Sequence, residues 1–541
     1  MHRETILMTG PAAIAPTEPA TGSRRASVAR RALQGAALLG ILADLLLRDG
    51  LGGIGLLLWM LLFAGATIAL ARHSERALSR ESWSWLVISV LCAVGVSLRD
   101  AELLQVVDVA AMLAALVLLI MSMDAVSLPA LAAARVRDLI RAAFETGIDA
   151  AFGVVPLALR DAVAPPSARG AGPASGQRIG RAALIAAPVL FVFTLLLTRA
   201  DPVFGSFLKF LDVDFDVLMS HILIAGFFTW IVGGWVRRAF VAENSMAELL
   251  DGPLPLTLGA TDILLALGAL NVLFLAYILV QVGSLFGGEA MVLKTTGLSY
   301  AQYARSGFLE LTVVAGLLLA LLLTAQALIP ASDSQARRSY RRLAIPLILL
   351  LGAMMLSAAG KLKLYMHYYG ISVDRLYAGA FMIWLAIVLA WFAATVLRSK
   401  PRAFAVGLVS SAYAILLLLN LMNPDALVAR ENLARLDVLY GGASAGADLR
   451  YVASLDGGAV PELVAVLTAP AVTVDTATPG DRCAAAALLL ERWTGERSVR
   501  MAGHWTQWNL ARSRAIEAVR AQEGELRRRA CAKTAPAVKG S

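Results

Sequence analysis

KLKLYMHYYGISVDRLYAGAFMIWLAIVLAWFAATVLR, running from Lys361 to Arg398, is the stretch around which the rest of the chain is organised. Its second half, Leu376 to Leu397, is an apolar run without a charge, long enough to cross a bilayer as a helix. The first half is a basic and aromatic collar: Lys361, Lys363, Tyr365, His367, Tyr368 and Tyr369, then Gly370, with Asp374 and Arg375 at the helix mouth. Such side chains suit the headgroup layer, where an apolar body and a polar tip are both satisfied. The polar density exceeds what anchoring needs, so the collar is also a candidate functional surface.

Apolar runs near that length recur along the 541 residues, which are 58% hydrophobic and 16% charged; the mean hydropathy is +0.70. This is the pattern of an all-α polytopic membrane protein, whose first partner is the lipid bilayer. The runs do not alternate, which excludes a transmembrane β-barrel. The net charge of +9 is placed beside the spans, so it argues for membrane topology and against nucleic acid as a partner. Cys92, Cys483 and Cys531 have no metal-ligand spacing, and no zinc, phosphate-loop, serine-hydrolase or kinase motif appears, so no metal or cofactor is expected.

Eleven spans are expected, at 32–47, 51–71, 83–98, 103–123, 182–199, 217–236, 259–285, 307–329, 343–360, 376–397 and 403–422. Residues 1–31 read as a disordered cytoplasmic tail, 32–123 as a four-helix membrane unit, and 124–181 as a cytoplasmic segment with a Pro/Gly/Ser linker. Residues 182–422 form a seven-helix core and 423–541 a small helical domain beyond it. Leu131 to Leu159 has the pattern of an amphipathic helix on the inner face, or of one packed under the bundle. With the N-terminus inside, the inner segments hold 24 Lys and Arg against 9 outside, and 15 more lie in the tail. That bias predicts a cytoplasmic N-terminus and, with an odd number of spans, an extracytoplasmic C-terminal domain. Asn423-Pro424 stops the last span, and short helical patterns follow at 425–438, 449–455, 460–467, 483–493 and 505–531. Cys483 and Cys531 would share an oxidising compartment there, which permits a disulfide.

Five segments carry a resemblance: YARSGFLEL (Tyr303 to Leu311), SVDRLYAGAFMIWLA (Ser372 to Ala386), NPDALVARENLAR (Asn423 to Arg435), DLRYVASLDGGAVPELV (Asp448 to Val464) and WTQWNLARSRA (Trp505 to Ala515). Together they resemble the bacterial multi-pass membrane family filed as domain of unknown function 4173, from about Arg181 onward. The resemblance implies a bacterial inner-membrane location and a helical tail, and it implies no activity.

Charged groups at the span mouths are the natural site candidates, because ionisable side chains in a bilayer are costly. Arg305 and Glu310 border the eighth span, Asp374 and Arg375 the tenth; they can lock helices as ion pairs or hold an anionic headgroup or solute. His367, Tyr369 and Tyr377 lie at the same level, and one outward-facing pocket is expected to collect them. Asn271, near mid-membrane, suits a hydrogen bond to a neighbouring helix or a substrate contact. Asp44, Asp262 and a lone His221 are further intramembrane or interfacial groups. Three functions follow as expectations. The first is a non-enzymatic membrane protein whose outer face and helical tail bind a protein or envelope component. The second is a secondary transporter of a small, anionic solute. The third is a lipid-substrate transferase using Asp374, His367 and Glu310.

Overall fold

The structure, a computed structural model, describes residues 18–123, 130–162, 215–242, 245, 260–286, 308–329, 333–398, 400–434, 449–469, 479–495 and 504–531. Every regular element among them is helical. Among the described residues, eight helices are long and apolar enough to cross a membrane: Ile54–His73, Arg80–Leu98, Glu102–Met123, Val217–Phe240, Thr261–Val280, Ser334–Lys363, Val373–Thr395 and Arg402–Met422. A ninth would be the pair Val136–Phe152 and Val154–Asp161, bent by 49°. The chain is thus a multi-pass helical membrane protein. Of the eleven expected spans, 182–199 lies outside the described residues, and 307–329 appears as a helix, Phe308–Leu328, whose described apolar part is Val313–Leu328. The expected span 32–47 is the apolar end of a longer helix.

The chain divides into two compact units, the first comprising Met1–Arg48, Leu62–Leu78 and Phe144–Leu249. Here α1 (Glu18–Leu47) begins well inside the tail expected to be disordered. The reason is a stripe of small, fully buried residues: Ala29, Ala32 and Ala36 at three- and four-residue spacing, and Ala43 seven residues further on. They let α1 lie closely along a later helix, Phe215–Phe240, in the manner of small-residue contacts between membrane helices. Asp44, Arg48, Ser220 and His221, separate in the sequence reading, meet at the end of this pair: Arg48 binds Asp44 at 3.1 Å, and Asp44 also contacts His221. Residues 144–161 turn their charged face inward. Glu145 and Asp149 are buried around Arg238, with Asp149 at 3.1 Å and Glu145 at 3.7 Å. Phe144, Phe152 and Val155 point outward and are exposed. Apolar out and charge in is the arrangement lipid favours.

The second unit comprises Asp49–Leu61, Ser79–Ala143 and Leu250–Ser541. Its helices are α2 (Ile54–His73, entering with its first turns), α3 (Arg80–Leu98), α4 (Glu102–Met123), α5 (Ala260–Phe286), α6 (Phe308–Leu328), α7 (Ser334–Tyr369), α8 (Val373–Thr395) and α9 (Pro401–Met422). The collar is not a loop: it continues α7 to Tyr369, where Gly370, at φ +75, ends the helix as only glycine does readily. Ser372 caps α8, accepting from the Arg375 amide. One apolar core, including Leu267, Leu322, Tyr340, Leu347, Val388, Phe392 and Phe404, joins α5 to α9.

Past α9, Asn423 adopts a left-handed conformation (φ 53) and α10 (Pro424–Ala434) starts at once. A residue before proline is pushed out of the α region, so Asn-Pro stops one helix where the next begins. Then come α11 (Leu449–Ser454), α12 (Val460–Thr468), α13 (Pro479–Thr494), α14 (Leu510–Ala521) and α15 (Glu523–Arg529), close to the expected short helices. They share a core of their own, built from Val428, Leu463, Leu489, Trp493, Val519 and Leu526 among others. Cys483 and Cys531 pair as a disulfide, with Cα atoms 4.7 Å apart.

Candidate functional site

A dense polar cluster of the second unit forms where the tail helices meet the ends of the long ones. Asn509 is its hub and is 1% exposed. Its Oδ1 accepts from the Arg512 amide and caps α14, while its Nδ2 donates to the carbonyls of Val96 at 2.9 Å and Arg99 at 2.7 Å. Those carbonyls end α3, where a helix leaves acceptors unpaired, so the tail satisfies a need of the membrane helix. Gln507 donates to the Gly50 carbonyl at 2.9 Å, and the Ile54 amide at the start of α2 donates to the Trp508 carbonyl at 2.8 Å. Contact is backbone to backbone at Gly53: a Cβ there would stand 2.5 Å from the Thr506 oxygen.

Charge is arranged in the same layer. Asp100, in the turn between α3 and α4, pairs with Arg512. Arg99 reaches the last carbonyls of α9, at Asn420 (2.7 Å) and Leu421 (3.4 Å). Arg492 ties Ser454 and Leu455 carbonyls and holds Asp456 at 2.9 Å. Asp425 sits among these groups, 3% exposed. Burial pushes its carboxyl up to about 7; the Asp456 and Asp100 charges push the same way, and Arg492 and Arg99 oppose them. Burial also raises Asp456, with Asp100 adding to it against Arg492.

The α7–α8 turn is held by the tail as well. Asn432 clasps Ile371, accepting its amide at 2.9 Å and donating to its carbonyl at 2.6 Å. The Tyr451 hydroxyl accepts from the Val373 amide at 2.8 Å.

Of the residues singled out from the sequence, Asp374, Arg375 and Tyr377 fall together on the first turns of α8. Asp374 is exposed, Arg375 donates to the Gly370 carbonyl at 2.6 Å, and the Tyr377 hydroxyl is buried without a hydrogen bond among the described residues. Arg305 lies outside the described residues, as do the side chains of Glu310 on α6 and of His367 and Tyr369 on α7. Asn271 is elsewhere. Half-buried, it donates to Leu267 on its own helix and, at 3.0 Å, to the Leu343 carbonyl on α7. Leu343 precedes the α7–α8 turn by about 40 Å of helix. Along α8, Tyr377, Phe381, Trp384, Val388 and Trp391 follow at three- and four-residue spacing: Val388 is fully buried, Phe381 and Trp391 are exposed, and the Trp391 indole donates to the Ala403 carbonyl at 3.0 Å.

Asp108, a carboxyl inside the span 103–123, and Asn420, an amide inside 403–422, stand outside the candidates drawn from the sequence. Asn420 Nδ2 donates to Asp108 Oδ1 at 2.9 Å. A charge within an apolar run was the available signal.

Fold and site together define a multi-pass helical membrane protein whose C-terminal helices are clasped to the ends of its spans. The chain belongs to the family described as Domain of unknown function (DUF4153), whose model matches residues 85–466. That corrects the resemblance to family 4173, and the match begins inside the third span, well before Arg181. The matched region holds Arg99, Asp108, Asn420, Asp425 and Asp456 and stops before Arg492 and Asn509. The chain matches no curated protein and no solved structure.

Proposed function

We propose that this is a non-enzymatic bacterial inner-membrane protein with eleven spans, a cytoplasmic N-terminus and an extracytoplasmic C-terminal helical domain. That domain and the outer span ends bind a protein or envelope component. One observation carries the reading: the tail helices have their own apolar core and are clasped at Gly50, Val96, Arg99 and Ile371, all beside turns that the Lys and Arg bias assigns to the outer side. A rigid, docked module of this kind has no use in a bare channel. The Cys483–Cys531 pair agrees with an oxidising compartment.

Single-cysteine labelling from outside tests it, at Ser444 and Ser334 in a background lacking the native cysteines. Ser444 should react and Ser334 should not; the reverse pattern inverts the core and removes the outer platform. A photo-crosslinker at the exposed Trp505 then reads the partner: one discrete adduct in intact cells supports binding, and lipid adducts alone refute it. A second reading, a secondary transporter, is favoured by the buried Asp108–Asn420 contact within the bundle.

A further inference from the structure

Asp108 lies six residues into α4, about 9 Å along the helix axis, and is 1% exposed. Its Oδ1 accepts from Asn420 Nδ2, which also reaches the Leu416 carbonyl at 3.1 Å. The two remaining oxygens, Asp108 Oδ2 and Asn420 Oδ1, are both buried with no hydrogen bond among the described residues. They face one point against α3: a Cβ on Gly95 would stand 2.8 Å from each of them. Two acceptors turned to one place, with no donor between them, are costly in a bilayer, and an ionised carboxylate there costs more. The titratable side chains coupled to Asp108 are Cys92 on α3 and Tyr377 on α8, and neither brings a positive charge; the Arg99 guanidinium, at the end of α3, is held by the backbone carbonyls of Asn420 at 2.7 Å and Leu421 at 3.4 Å.

One proton removes both costs. Placed on Asp108 Oδ2 and donated to Asn420 Oδ1, it closes a ring in which acid and amide each donate once and accept once. The carboxyl becomes neutral and both orphan oxygens are satisfied. A hard metal ion would ask for six or more oxygens, and this spot offers two. We propose that Asp108 and Asn420 form a proton-binding site inside the helix bundle, with Asp108 as the acid and Asn420 as the amide that holds it. Loss of the proton opens the ring and leaves a bare carboxylate between α3, α4 and α9, so occupancy controls how these three helices pack. This holds whether or not the tail meets a partner.

Infrared spectroscopy of the full chain in lipid nanodiscs tests the assignment. At neutral pH the native protein should show a protonated-carboxyl carbonyl band that Asp108→Asn lacks and Asp425→Asn retains. Asp108→Asn preserves the ring, since its amide donates to Asn420 Oδ1, and it should melt within a few degrees of the native protein. Asn420→Leu should lower the melting temperature well below either. No band difference between the native protein and Asp108→Asn overturns the proposal. So does a melting temperature that rises with sodium in the native protein and not in Asp108→Asn, because a metal ion would then occupy the site.

Discussion

Replacing Asn509 by serine separates the two tasks of that side chain. Serine caps a helix about as well as asparagine, so the start of α14 keeps its bond to the Arg512 amide. It has no second arm to reach Val96 and Arg99, so each of those carbonyls loses one donor and keeps another, Gln105 Nε2, at 3.5 Å and 2.6 Å. A hydrogen bond lost without orphaning its acceptor costs about 0.5–1.5 kcal/mol, so Asn509→Ser should cost about 2 kcal/mol for the two bonds, and Asn509→Ala about 1 kcal/mol more for the lost cap. Total stabilities are about 5–15 kcal/mol, so the module should loosen while the chain stays folded. Hydrogen exchange reads this directly. About 2 kcal/mol raises the open population roughly thirtyfold, and amides of 505–529 should exchange faster by about that factor while those of α9 barely change. If Asn509→Ser exchanges like the native protein, the clasp is not what holds the tail, and the argument for a rigid platform falls with it.

Two further outcomes follow from buried charge. Asp425 has a folded value of about 7 against 3.8, so its stabilising contribution is complete below 3.8 and is lost as pH rises towards and through 7. That span corresponds to roughly 4 kcal/mol at most, and Asp425→Asn should therefore gain on the native protein from pH 5 to pH 8 in thermal melts; parallel melting curves across that range would contradict it. In the first unit, Arg238→Met leaves Glu145 and Asp149 buried without their cation and should cost about 3–5 kcal/mol. Adding Glu145→Gln and Asp149→Asn should recover part of that loss, and a triple variant no more stable than Arg238→Met would show that the charges are not what matters.

The amino-acid sequence by itself determined the class of this protein, because length and apolarity of a run are local properties. Leu376–Leu397 needs no neighbour to be recognised as a span, and Asn423-Pro424 stops a helix by sterics alone. The short helices of the tail are legible for the same reason. Helix limits were less so: α1 reaches back to Glu18 because alanines fit against a helix nearly 200 residues away, and the collar joins α7 because helix propensity carries it on to Gly370. The site needed tertiary structure. Asn509 meets Arg99 across 410 positions and Asn420 meets Asp108 across 312, and no spacing rule connects such pairs. Asp108 was visible as a charge in a span, but what it touches is decided by which helices pack side by side. Local hydrophobicity puts each segment in lipid, and only packing chooses the polar partners that let a carboxyl stay there.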